Sequence, residues 1–240
     1  MVDTLTAMHL SKYYGKKHVV KDISFSMHSG DITGLLGPNG AGKTTSFYMI
    51  VGFIRQNGGS IYLNDQDISS LRMHERSKIG LAYLPQEASI FRKLTVEDNI
   101  KLVLETQNDL SKKEKNDKLE ELLNAFGIDR VRKQYGYTLS GGERRRTEIA
   151  RALATSPKFL LLDEPFAGID PKAVYEIKQI IKLLSSSGIG VLVTDHNVRD
   201  TLEITTMAHI ISSGEIIVSG TREEVLESDE AREIYFGRDF

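Results

Sequence analysis

The chain has 240 residues, 40% hydrophobic and 27% charged, which suits one ordinary domain with a sizeable core, or one domain carrying an insertion. A net charge of −2 gives no electrostatic case for a nucleic-acid partner, and the lack of cysteine excludes a disulfide scaffold or Cys-based zinc site and fits a reducing compartment. The start, Met1-Val2-Asp3-Thr4-Leu5-Thr6, is no signal peptide, and no apolar run approaches the roughly 20 residues of a membrane span, so action at a membrane is expected through a partner.

Residues 4–10 and 19–28 alternate apolar and polar side chains, which predicts two half-exposed antiparallel strands. Tyr13 and Tyr14 are expected in the turn between them. Ile32-Thr33-Gly34-Leu35-Leu36 reads as a short buried strand. It runs into Gly37-Pro38-Asn39-Gly40-Ala41-Gly42-Lys43-Thr44-Thr45, which fits G-x-x-x-x-G-K-[ST], and then into a helix-like stretch closed by Gly52. Strand, glycine loop and helix together specify a phosphate-binding loop. Its glycines let the backbone approach an anion, its N–H groups form a nest at a helix N-terminus, Lys43 adds a point charge, and the Thr44 hydroxyl is placed for Mg²⁺.

A hairpin is predicted over residues 59–68, and a strand from Ile79 to Leu84 that Pro85-Gln86 stops. A loop over 87–94 follows, holding Ile90 and Phe91 beside Arg92 and Lys93. Helical periodicity dominates from Val96 to Ala154, and its charge-dense part, Lys112 to Glu121, reads as a solvated helix face. Within it, Ser140-Gly141-Gly142-Glu143 is an S-x-x-E capping box that starts a helix, with glycines allowing close approach and a helix dipole favouring an anion. Phe159-Leu160-Leu161-Leu162-Asp163-Glu164-Pro165 and Gly190-Val191-Leu192-Val193-Thr194-Asp195-His196 read as buried parallel strands ending in polar residues. A helix lies between them over Val174 to Leu184. A hairpin around Ser213-Gly214 and a polar helical tail complete the chain.

Apolar strands alternating with helices predict an α/β fold with a mostly parallel sheet, an N-terminal antiparallel β subdomain, and a helical subdomain inserted at about 96–155. Ligands of such sheets sit beyond the C-terminal strand ends. The strands ending at Gly37, Gln86, Asp163-Glu164 and His196 therefore aim their functional side chains at one edge. An unpaired buried acid is costly, which marks Asp163 as a metal-site carboxylate.

These motifs together resemble the ABC-type ATPases, and the resemblance covers nearly the whole chain, about residues 4–237, with 229–240 as a C-terminal tail. It implies that Gly37–Thr45 is the Walker A loop, Gln86 the Q-loop residue and Leu139–Glu143 the signature, which ends in Glu143 where many members have Gln. Phe159–Asp163 is then Walker B, followed by the catalytic-type Glu164. Ala167-Gly168-Ile169-Asp170 is the D-loop and His196 the switch histidine. The resemblance also implies that Tyr14, or Tyr13 in its place, stacks on adenine. ATP is the implied substrate and Mg²⁺ its metal, held by Thr44, Asp163 and Gln86. Lys43, Glu164 and His196 are the implied catalytic groups, and Ser140 to Glu143 act on ATP held by a second copy of the chain.

A transporter subunit is the expected role. Chromosome and repair members enclose a long coiled coil between the Walker motifs, which this spacing lacks, and translation factors carry two cassettes. Tyr83 to Arg92, Ser140 to Arg146, Asp163 to Gly168 and Tyr235 to Phe240 resemble the ATPases of lipopolysaccharide export in Gram-negative bacteria. The branched-chain amino-acid importer ATPases are the alternative. Either resemblance implies a homodimer on the cytoplasmic face of the inner membrane, bound to integral membrane permease subunits. Ile90, Phe91 and Arg92 are expected either to line the groove that receives a permease helix or to anchor their own loop. The aromatic tail is expected to dock, on its own domain or across the dimer.

Overall fold

The computed structural model describes residues 2–236. The last part of the tail, Gly237 to Phe240, and the Phe236 side chain lie outside the described residues, so the expectation placed on Phe240 has no structural counterpart here.

In chain order the strands are β1 (Thr4–Tyr14), β2 (Lys17–His28), β3 (Ile32–Leu36), β4 (Gly58–Leu63), β5 (Gln66–Asp67), β6 (Leu81–Leu84), β7 (Phe159–Asp163), β8 (Gly190–Thr194), β9 (Met207–Ser212) and β10 (Glu215–Gly220). The helices are α1 (Lys43–Val51), α2 (Met73–Lys78), α3 (Val96–Glu105), α4 (Lys112–Ala125), α5 (Gly141–Leu153), α6 (Pro171–Ser186), α7 (Val198–Leu202), α8 (Arg222–Glu227) and α9 (Asp229–Ala231). A π turn, Arg232–Phe236, follows.

The strands form one sheet in the order β5-β4-β1-β2-β10-β9-β3-β8-β7-β6. The run from β9 to β6 is parallel. Every residue of β3, β7 and β8 is buried, because helices cover both faces there, and apart from Thr33 their polar residues, Asp163 and Thr194, come at the strand ends. The antiparallel arm, β5-β4-β1-β2, joins this core through β2 and β10 at Asp22 and Glu215. It is not a separate core. Leu10, Val20, Ile23 and Ile61 of the arm pack in one cluster with Phe47 and Ile50 of α1 and Leu35 of β3.

The helical insertion resolves into three helices with breaks. Its apolar side chains, among them Ile100, Leu104, Leu122 and Ile149, form one cluster with Leu160, Leu162 and Val193 of the central strands. The charge-dense helix α4 buries only Leu119, Leu122 and Leu123, as a solvated face should. Two expectations need correction. Tyr13 and Tyr14 end strand β1, paired with His18 and Lys17, rather than sitting in the turn, which is Gly15-Lys16. Helix α2, six residues long, was not foreseen, because its length is too short for a helical period to register.

Candidate functional site

The edge where β3, β6, β7 and β8 end carries the predicted groups. The loop after β3 is shaped by packing as well as by glycine freedom. Gly37 has φ 149° and a Cβ there would meet the Ile211 carbonyl oxygen at 2.1 Å, so no other residue fits between the loop and β9. Gly42, at φ 109°, is the residue that turns the loop into α1. The Lys43 ammonium donates to the carbonyls of Gly37 at 2.6 Å and Pro38 at 2.9 Å, which curls the loop around it. Burial pushes the Lys43 pKa below its ordinary value, opposed by the charges of Glu164, Asp163 and Asp195.

Opposite the loop stands a cluster of three acids. Asp163 is buried and its carboxylate accepts from the Thr194 hydroxyl at 2.7 Å. Asp195 is fully buried and accepts from the backbone N–H groups of Asn197 at 2.8 Å and Phe166 at 3.2 Å. Burial raises the pKa of both. Glu164, next to Asp163, sits at φ 43°, a conformation rarely adopted by residues other than glycine and Asn or Asp, and its N–H donates to the Thr194 carbonyl. One oxygen of Glu164 collects two partners from two other strand ends. Gln86 Nε2 donates to Oε2 at 2.8 Å, and His196 Nδ1 lies 3.2 Å from the same atom.

Three side chains of α5, the buried Arg145 and Glu148 and the half-buried Arg151, fix the loop that carries Gln86. Arg145 donates to the Pro85 carbonyl at 2.7 Å and to the Asp163 carbonyl at 3.3 Å. Glu148 accepts from the N–H groups of Ser89 at 2.7 Å and Ile90 at 3.0 Å. Arg151 donates to the Ser89 carbonyl at 2.9 Å and lies over the Phe91 ring. Sequence reasoning missed Asp195, Arg145 and Glu148 as parts of this site. Asp195 had a usable signal, being an acid directly after a buried strand. The other two had none, since helical residues reveal their loop partners only in three dimensions.

Ser140 caps α5 as the capping box requires: its hydroxyl accepts from Glu143 N–H, and Glu143 accepts from Ser140 N–H at 3.1 Å. Ser140 and Glu143 bond to each other and Glu143 also to Arg130, not to the phosphate loop of their own chain. Tyr13 has one face stacked on His18, centroids 3.8 Å apart, whereas Tyr14 is 51% exposed with Lys12 near its ring.

A groove of about 670 Å³ opens beside the site. Tyr48, Phe53, Ile54, Met73 and Tyr83 line it, and it ends on Gln86. Ile90 and Phe91 are not among the residues that line it. Ile90 is buried in the loop's own packing, and Phe91, though 46% exposed, is held by Asn99 and Arg151. Arg92 is exposed on the same loop.

The donor set fits Mg²⁺ held together with a nucleotide. Among the described residues no group of three or more His, Asp or Glu side chains is placed to hold a metal. Mg²⁺ bound with a nucleotide takes one or two carboxylates and the phosphates themselves. Asp163, desolvated at a strand end and within the charge field of Lys43, and Thr44, exposed on the first turn of α1, are residue types that fit it.

A family description, "ABC transporter", matches residues 20–167. The chain is 54% identical to the lipopolysaccharide export system ATP-binding protein LptB of Escherichia coli, over 99% of this chain and 98% of that one. It is 53% identical to the protein of the same name from Haemophilus influenzae, over 98% of each. Among solved structures, the ADP conformation of an ATP-binding cassette of an ABC transporter superposes with a TM-score of 0.87 at 28% identity, covering 98% of this chain and 99% of that one. A nucleotide-free cassette superposes with a TM-score of 0.86 at 27% identity, covering 98% and 100%.

Proposed function

The chain belongs to the ABC transporter family, as an ATP-hydrolysing subunit, and we propose that it powers lipopolysaccharide export as a homodimer on permease subunits of the inner membrane. The cargo is carried over from relatives 54% and 53% identical along nearly their whole length. No helix among the described residues is long and apolar enough to cross a membrane, so the permease supplies the spans.

One observation carries the catalytic reading: Gln86 and His196, from separate strand ends, both reach Glu164 beside the phosphate loop. The loop amides of Gly37, Asn39, Gly40, Ala41, Gly42 and Thr45 cradle the β- and γ-phosphates, and Pro38, which has no N–H to give, stiffens the loop. Lys43 exchanges its carbonyl partners for phosphate oxygens. Tyr14, whose ring is the more open of the two tyrosines, stacks on adenine. Thr44 and Asp163, with Gln86 nearby, hold Mg²⁺, which when bound neutralises phosphate charge. Glu164 orients the attacking water and accepts its proton. His196, and Ser140 with the amides of Gly141, Gly142 and Glu143 from the second copy, stabilise the γ-phosphate. Catalysis is then positioning and charge stabilisation, as in other phosphoryl transfers.

The aromatic groove receives a permease helix, and Gln86, at the groove's end and on Glu164, links the two. The test is reconstitution. The chain is co-purified with its membrane subunits, placed in vesicles loaded with lipopolysaccharide, and supplied with ATP. ATP-dependent extraction of lipopolysaccharide supports the reading. Extraction of branched-chain amino acids, or of neither cargo by an ATP-hydrolysing complex, contradicts it.

A further inference from the structure

Helix α7 begins two residues after His196, with Asn197 between as its cap, and is only five residues long. A helix of that length does not hold itself in water. What holds it crosses from α6. Lys178 is 6% exposed, and its ammonium donates to Asp200 Oδ1 at 2.7 Å and to Glu203 Oε2 at 2.5 Å. Asp200 lies in α7 and Glu203 is its C-cap, one turn apart on a single face. The Asp200 carboxylate also accepts from the Asn197 side-chain amide, and Asn197 in turn caps α7 by accepting from Asp200 N–H. Asn197 N–H donates to Asp195 at 2.8 Å. A continuous path therefore runs from Lys178 through Asp200 and Asn197 to Asp195, and His196 is the residue between the last two. At its other end, α6 starts from Asp170, whose carboxylate caps it by accepting from Ala173 N–H at 3.0 Å.

We propose that Lys178 is a positioning residue for hydrolysis: its buried ammonium pins α7 to α6 and so keeps His196 where it meets Glu164. The proposal rests on the roles given above to His196 and Glu164. An ammonium suits the task because it is a compact charge that two carboxylates can share. Without it, Asp200 and Glu203 face each other as like charges, and the cap at Asn197 loses its anchor. The groups assigned to the bulk of ATP recognition, the loop after β3 and Tyr14 at the end of β1, make no contact with Lys178, Asp200 or Glu203 and so are untouched. Lys178→Met should therefore lower turnover and leave ATP recognition alone. Small displacements of a positioned group cost up to about a hundredfold in rate, and a loss of about tenfold in kcat, with KM for ATP changed less than about twofold, is expected here.

The experiment is steady-state ATP hydrolysis by the purified full-length chain, as wild type, Lys178→Met, Lys178→Arg, His196→Ala and His196→Ala/Lys178→Met. Two results support the proposal together. Lys178→Met lowers kcat with KM held, Lys178→Arg retaining more activity. In the His196→Ala background the Lys178→Met change then adds no further loss, because its effect runs through His196. An unchanged kcat in Lys178→Met, or a loss of the same size with and without His196, overturns it and leaves Lys178 a brace between two helices. If Lys178→Met does not fold, Asp200→Asn takes its place in the same cycle. Wild-type turnover by His196→Ala instead removes the role of His196 itself, which separates failure of the site reading from failure of the Lys178 proposal.

Discussion

Glu164 is held at φ 43°, with its N–H on the Thr194 carbonyl and its carboxylate between Gln86 and His196. A strained backbone of this kind costs about 1–3 kcal/mol and persists where surrounding contacts over-determine it. Glu164→Gln keeps the shape and both partners' reach but cannot accept a proton. We expect ATP affinity to be retained and hydrolysis to fall by about 10²–10⁴-fold, read by nucleotide binding beside phosphate release; turnover near wild type would remove Glu164 from the chemistry. A second residue makes a pH prediction away from the site. His209 is buried on β9, packed on Phe25, and burial lowers its pKa from 6.5 to about 4. Between those values the unfolded chain binds a proton that the folded protein refuses. The stability from this site is complete above pH 6.5 and is lost as pH falls towards 4, by up to about 3 kcal/mol. His209→Gln should flatten the pH dependence of the urea midpoint across that window; an unchanged slope would show that other groups set it. The groups of the phosphate loop and the strand ends were legible because each is a residue type with a fixed place relative to a buried strand. Arg145 and Glu148 were not, because their meaning lies in loop carbonyls and amides about sixty positions away in sequence.

Helix α5 is the element that ties the site together. Its N-terminus is the Ser140 cap, and its buried face grips the loop after β6 through Arg145, Glu148 and Arg151. Glu148→Ala would leave two loop N–H groups and the buried Arg145 guanidinium without their carboxylate. Breaking a buried pair in this way costs about 3–5 kcal/mol. We expect a stability loss of that order by chemical denaturation, accompanied by exposure of the 87–94 loop to protease; a loss under about 1 kcal/mol would mean that water replaces the contact. At the other end of the chain, Tyr235 of the π turn packs with Ala231 and Val225 against Leu36 and Leu202, so this part of the tail docks on its own domain. Elements with a clear period or a bounding glycine were readable, from the parallel strands to α6, which extends from Pro171 to Ser186 around the predicted Val174 to Leu184. The start of α5 was readable from the Ser140–Glu143 capping box, whereas the break before α4 was not, because the charged stretch around the Ser111 cap has no apolar period to interrupt.

In the homodimer proposed above, each chain supplies two halves of a site from different parts of its surface. The phosphate loop and the acids of β7 and β8 form one half, and the Ser140 cap of α5, bonded only within its own neighbourhood, the other. The near-neutral charge sets no long-range repulsion against a second copy. A two-fold pairing that brings each cap onto the other chain's loop makes two equivalent sites, and each site then needs one residue set from each copy. The central claim is therefore complementation. Lys43→Ala and Ser140→Arg chains, each inactive alone, are mixed at equal concentration and ATP hydrolysis is measured. Half of the dimers then contain one intact composite site, and recovery to about a quarter of wild-type turnover is expected for independent sites. A mixture that forms mixed dimers yet stays as inactive as either parent would contradict the account.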